Sequence, residues 1–293
     1  MKARLTTGTA AVAAVAVSWL AAAIAGAALP SQLSVGSGSA FSLGSGTLDL
    51  GCANLLVAGT FDVVSGNVEQ ALGVTIASGG TLDGGSGTLD LAGSWDNSNG
   101  GTFNPGTSSV NFVDGCGVSL ATISGGTSFS TLTITTATGK TYQLEAGSTQ
   151  TIGAALSLSG TAGNLLTLRS TSPGSAATLD VQGSGTGDFL DVADLHFTAN
   201  PIVFGPNSTV GSNTVNVRQC GDINGDFSID AADVALARNH VVGNPTAGDI
   251  SLCNVIGPFD PGEAGADCAV DDVFVLRRLV AGLSVTAENA CKP

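Results

Sequence analysis

The stretch Asp222-Ile-Asn-Gly-Asp-Phe-Ser-Ile-Asp-Ala-Ala-Asp233 carries oxygen-bearing side chains at its first, third, fifth, ninth and twelfth positions. A hard divalent cation takes about six to eight oxygens, and one short turn followed by a helix can gather them at this spacing. The spacing predicts a calcium loop. Asp222, Asn224, Asp226 and Asp230 are its side-chain ligands, Ser228 offers its backbone carbonyl, and Asp233 closes the shell from the first turn of the following helix. One departure is expected to weaken or distort the site: the sixth position, where the sharp turn calls for Gly, is Phe227.

A second grouping of acid–base side chains lies in Asp188-Phe-Leu-Asp-Val-Ala-Asp-Leu-His-Phe197. On one regular strand Asp188, Asp194 and His196 would share a face with Leu190 and Val192, so a bulge near Ala193 is expected to turn the acids outward. The catalytic candidates are Asp191, Asp194 and His196, set against the common case of carboxylates on a solvated face. After the leader described below, only two His, one Tyr and one Trp are present, thin material for an active site. Trp95, beside Asp96, Asn97 and Asn99, reads either as a platform for stacking a sugar ring or as a core residue.

The element positioning the calcium loop is a helix from Ala231 to Val242, stopped by Gly243. It has a copy: Asp233-Val-Ala-Leu-Ala-Arg-Asn-His-Val-Val-Gly243 aligns without gaps to Asp272-Val-Phe-Val-Leu-Arg-Arg-Leu-Val-Ala-Gly282. Two loop–helix units with no helix entering the first resemble a dockerin of type I, over about residues 219–293. The resemblance implies a small α-helical calcium module that plugs into a cohesin-like or other extracellular protein. The second loop, from Asn254 to Asp272, is seven residues longer than the first, with Ala269 in the place of Asp230. It reads as degenerate. Asn254 and Asp272 remain as candidate ligands, and Asp260, Glu263, Asp267 and Asp271 read as a solvated acidic loop.

At the start of the chain, Lys2 and Arg4 precede an apolar run from Thr9 to Ala27 that ends in Ala25-Gly-Ala27, predicting a secretory signal peptide over residues 1–27. No later stretch holds eighteen consecutive apolar residues, so no membrane span is expected after cleavage. The six Cys include no C-x-x-C spacing and point to disulfides rather than zinc. Cys220 and Cys291 are placed to clasp the ends of the C-terminal module, and Cys253 and Cys268 flank its second loop. A net charge of -14 excludes nucleic acid as a partner. The expected location is extracellular or at a bacterial cell surface.

Residues 28–217 are rich in Gly, Ser and Thr, yet their apolar residues recur with period two, as in Leu48 and Leu50, Val74 and Ile76, Leu89 and Leu91, Val110 and Phe112, Leu132 and Ile134, Leu166 and Leu168, and Val215 and Val217. That pattern argues against disorder and for short strands. A tetrad Gly-Thr-[Leu/Phe]-[Asp/Asn] begins at Gly46, Gly59, Gly80, Gly87 and Gly101, and Gly44-Ser-Gly-Thr-Leu-Asp-Leu50 returns at Gly85 to Leu91, 41 residues on. Short strands at a period of about twenty can bury their apolar faces by stacking coil on coil. The expected fold is mainly β: a right-handed parallel β-solenoid (β-helix) over residues 28–217, followed by the helical module over 218–293, with an antiparallel sandwich as runner-up. The rungs resemble those of bacterial secreted β-helix proteins, many of them adhesins. Cys52 and Cys116 stand 64 residues apart. At about 21 residues per rung that is three rungs, roughly 14 Å at strand spacing and too far for a direct bond. Either the rungs are irregular there or the two thiols are buried and free.

These observations predict an exported, non-catalytic structural or interaction protein whose calcium module docks a rod to an extracellular or cell-surface partner. The alternative is a secreted polysaccharide-acting enzyme, a glycoside hydrolase or lyase, or a carbohydrate-binding protein carrying a dockerin.

Overall fold

The computed structural model describes residues 31–253, 255 and 268–283, together with the backbone of Leu5–Thr6. Most of the predicted signal peptide, with Asn254, Asp260, Glu263, Asp267 and Cys291, lies outside the described residues. From Gln32 to Gln219 the chain winds into a parallel β-solenoid of about nine turns. The first face is a nine-stranded sheet running from Gln32–Val35 to Thr209–Val210. The second face, in the lower turns, stacks Ala40–Ser42, Thr60–Asp62, Thr81–Asp83 and Thr102–Asn104. The third climbs from Thr47–Asp49 to Val217–Gln219. In the upper turns the long strands Thr127–Thr135 and Thr149–Ser159 each serve both the second and the third face, pairing across a register shift. The ladders between successive turns are parallel, which sets the sandwich aside. Leu5–Thr6 lies antiparallel on Thr47 and Leu48.

The period-two residues fill the interior. The first six predicted pairs are all at most 4% exposed. The seventh is corrected: Val217 is buried, but Val215 is 46% exposed. Asn216 between them takes a left-handed turn at φ 60°, so the two do not share a strand, and Val215 instead bridges the outward-facing His196. The tetrads occupy two faces, with Thr60, Thr81 and Thr102 stacked on the second, and Thr47 and Thr88 two turns apart on the third. Their leading Gly is dictated by the turn beneath: a Cβ on Gly59 would lie 2.2 Å from the Ser39 carbonyl oxygen, and one on Gly80 2.1 Å from that of Val57.

Turn length varies at the corners, not on the walls. Asp191 stacks on Thr209, 18 residues on, whereas Trp95 stacks on Ile123, 28 residues on. The extra residues of that long turn include a corner loop at 113–119, and this irregularity decides between the two readings of the first two cysteines. Cys52 and Cys116 are disulfide-bonded with Cα atoms 5.5 Å apart. The intervening turns have short corners at Leu72 and at Ala92, Gly93 and Ser94, so the wider loops above and below meet across them.

The second face has a seam. Thr102–Asn104 ends its sheet, and Thr127–Phe129 in the next turn pairs only upward. Buried Gln150, in the turn above, satisfies backbone groups on the upper side of the gap, its side chain donating to the Gly125 carbonyl at 2.7 Å and accepting the Thr127 N–H at 3.2 Å.

Beyond Gln219, helices α1 (Ala231–Val241) and α2 (Val270–Val280) pack together with the short turn Ile250–Cys253 around a second apolar cluster, against which Val203 of the solenoid also rests. The sequence repeat is a structural one. Asp233, Val234 and Ala237 are buried in α1, and Asp272, Val273 and Leu276 are buried at the same offsets in α2. Each helix ends before a Gly in the left-handed region, Gly243 at φ 78° and Gly282 at φ 70°. Cys253 and Cys268 are disulfide-bonded, as expected. Cys220 is disulfide-bonded too, and its predicted partner Cys291 falls among the residues not described. No helix among the described residues is long and apolar enough to cross a membrane.

Candidate functional site

The stretch 222–233 folds into a closed turn held by its own carboxylates. Asp222 accepts the N–H groups of Gly225 at 2.8 Å, Asp226 at 3.1 Å and Phe227 at 2.8 Å. Asn224 accepts from Asp226, and Asp226 from Ser228, at 3.0 and 2.9 Å. Asp230 caps α1 by accepting the Ala232 N–H at 2.7 Å. Asp233 reaches back from the first helical turn, accepting from Ile223 at 2.8 Å, Asn224 at 3.1 Å and Asp230 at 2.9 Å. Its counterpart in the second repeat, Asp272, accepts the Ala269 N–H at 2.9 Å. Ala269 has no side-chain oxygen with which to return a cap.

Asp222 is 2% exposed and Asp233 fully buried. Burial pushes the Asp222 carboxyl above its ordinary range; amide donors from Phe227, Gly225 and Asp226 oppose that push, and the charge of Asp233 adds to it. Neither carboxylate takes part in an ion pair among the described residues. Two buried like charges without a cation are unfavourable. Among the described residues no three His, Cys, Asp or Glu side chains are gathered as a metal cluster. The donor chemistry nevertheless fits a hard cation, since every candidate ligand offers oxygen, and a carboxylate has about four acceptor sites, more than its amide bonds consume here.

Phe227 occupies the turn position expected of Gly, at φ 63°. A side chain there costs about 1–2 kcal/mol, and the ring is 44% exposed, so little packing compensates. Phe227→Gly is expected to stabilise the module by about 1 kcal/mol after the larger unfolded-state entropy of Gly is subtracted. A higher unfolding midpoint in chelator checks this, and an unchanged or lower one contradicts it.

The second predicted grouping is dispersed. Asp188 ends Ser184–Asp188 on the third face, Leu190–Val192 lies on the first, and Leu195–Ala199 continues the second. The bulge expected near Ala193 is therefore corrected to two corners, with Phe189 and Asp194 both left-handed at φ 55° and 59°. Asp194 is also not outside: it is 8% exposed and accepts the Gly174 N–H and the Asn213 amide at 3.1 and 3.0 Å. His196 Nε2 lies 3.2 Å from Asn213 Oδ1. The amide thus separates acid from imidazole and carries no proton between them. Asp191 is held by Arg169 at 2.6 Å. The three candidates read as corner and wall supports.

Trp95 is fully buried, packed edge-on against Phe103 and Phe129 at 4.9 and 5.3 Å, with Nε1 donating to Thr127 at 3.1 Å. It offers no face to a sugar. The burial of one base escaped the sequence reading. Lys140, 1% exposed, donates to the carbonyls of Ala92 and Val113 and lies 4.7 Å from the Tyr142 ring centroid. Burial pulls its amine below the ordinary range, and the charge of Asp114 acts in the opposite sense. Only its lone position in a Gly/Thr-rich wall could have marked it.

Comparison with protein-family models, with curated proteins and with solved structures returns no match.

Proposed function

We propose that this is an exported, non-catalytic interaction protein: a right-handed β-solenoid rod attached through a dockerin-like calcium module to an extracellular or cell-surface partner of the cohesin kind. The observation carrying the reading is the pair of buried carboxylates, Asp222 and Asp233, closed into one oxygen-lined turn at the head of α1. Asp222, Asn224, Asp226, Asp230 and Asp233, with the Ser228 carbonyl, would hold calcium, which supplies the positive charge that the two acids lack. Because ion and partner bind only the ordered loop, binding and folding of the module are linked. The repeat in α2 and the exposed Val242, Val270 and Phe274, each more than 60% accessible, support a docking role for the helices. The disulfides accord with an oxidising compartment.

The test is a pull-down from extracellular and envelope fractions of the producing cells, comparing the mature chain with one ending at Val217, each in calcium and in chelator. The expected result is capture by the full chain only, and only in calcium. Capture indifferent to both conditions would move the function to the solenoid.

A further inference from the structure

The corner loop 113–119 is tied from both sides. Downward, Cys116 is bonded to Cys52, its Sγ 4.0 Å from the Gln70 carbonyl oxygen. Upward, Asp114 accepts the Thr136 hydroxyl at 2.8 Å and the Ala137 N–H at 2.7 Å. Between these ties the loop lies on Ala92: a Cβ built on Gly115 would meet the Ala92 methyl at 3.4 Å. Lys140 ends at this spot, its Nζ donating to the carbonyl of Ala92 and, at 3.4 Å, to that of Val113. The loop residue that receives the amine is three positions from the cysteine that pins the loop.

The wall beneath does not depend on the pin. Ser109–Phe112 is hydrogen-bonded to Thr88–Leu91 below and to Thr127–Thr135 above over its whole length. Corner loops belong to the least stable parts of a fold and open locally while the ladders stay closed.

We infer that the Cys52–Cys116 disulfide is a redox clasp that seals Lys140: intact, it holds residues 113–118 over the amine, and reduced, it releases the loop and makes Lys140 available to acylating reagents while the solenoid stays folded. In the reduction, one thiolate of a dithiol attacks a sulfur of the bond. The second thiol then closes the reductant's own disulfide, and Cys52 and Cys116 are left as two thiols.

The chain has three lysines, Lys2, Lys140 and Lys292, so acylation can be resolved by peptide mass spectrometry. The full mature chain is treated with a water-soluble N-hydroxysuccinimide acetate in three forms: oxidised, reduced with dithiothreitol, and as Cys52→Ser/Cys116→Ser. A lysine-containing peptide added to each reaction is the internal reference. Because dithiothreitol acts on every disulfide, the double variant isolates this one, and the reduced wild type covers the case in which that variant does not fold. Lys140 labelling is expected to rise by about tenfold or more on opening of the corner, with the far-UV β signal unchanged. Unchanged labelling once thiol counting shows the bond reduced would overturn the clasp. So would loss of the β signal together with labelling, which would make the bond a support of the whole wall.

Discussion

In Asp233→Ala the C-terminal module is expected to lose its cooperative unfolding transition while the solenoid keeps its own. The substitution strips the acceptor from three backbone N–H groups, those of Ile223, Asn224 and Asp230, at a side chain with no exposure. Each unsatisfied buried donor costs about 1–3 kcal/mol, and water reaching the outer two lowers the sum to roughly 3–5 kcal/mol. A small module has little more than that in total, about 5 kcal/mol. Scanning calorimetry in chelator reads the amide role alone, and repeating it in calcium adds the proposed ligand role. Asp233→Asn keeps one carbonyl acceptor and should fall between wild type and Ala. A module transition in Asp233→Ala within 1 kcal/mol of wild type, to take a round figure for ordinary surface changes, would remove Asp233 from the centre of this account.

Trp95→Ala should produce the largest loss in the solenoid, about 3–5 kcal/mol from the missing side chain and the cavity it leaves. The site magnifies the effect. Trp95 stands beside the seam where the second face loses its ladder, and its Nε1 donates to Thr127, the first residue above the gap. Phe103 below and Phe129 above touch its ring from the two sides of that gap. The tryptophan therefore joins two blocks of turns by packing where backbone bonds are missing. Urea unfolding followed by far-UV circular dichroism measures the loss. Trp95→Phe should retain most of the stability and forfeit about 1 kcal/mol for the hydrogen bond. An alanine variant as stable as the phenylalanine one would mean that the continuous ladders of the first and third faces hold the two blocks together without the ring.

The walls of the rod were legible in the sequence because side-chain alternation and stacking are local rules. Leu89 and Leu91 point inward wherever the chain turns next, and the forty-one-residue echo of Gly44–Leu50 is two turns of one face. The corners were not legible, because a corner is defined by its neighbours above and below. Asp188 to Phe197 reads as one strand with a bulge, yet Phe189 and Asp194 each turn the chain onto a new face. Cys52 and Cys116 were counted in wall units, but both sit off the wall in loops whose lengths the period does not set. In the C-terminal module the gapless alignment of the two helices was legible, and they bury residues at the same offsets, since a helix buries what its periodicity dictates. The spacing of the first loop marked its oxygen-bearing residues. What it could not give was how far their oxygens are already engaged by backbone amides, which depends on the closed turn itself.

A stack of parallel coils has no natural stopping point, since each finished turn offers the next one a row of free backbone groups. Here the final strand, Val217–Gln219, is three residues long, and the chain leaves it at once, with Cys220 donating to the Phe204 carbonyl and Gly221 to that of Leu252. The helical cluster then settles on Val203. The third face thus ends against folded chain rather than an open row: the residues that leave Val217–Gln219 turn at once into the helical cluster, where a further coil would otherwise begin.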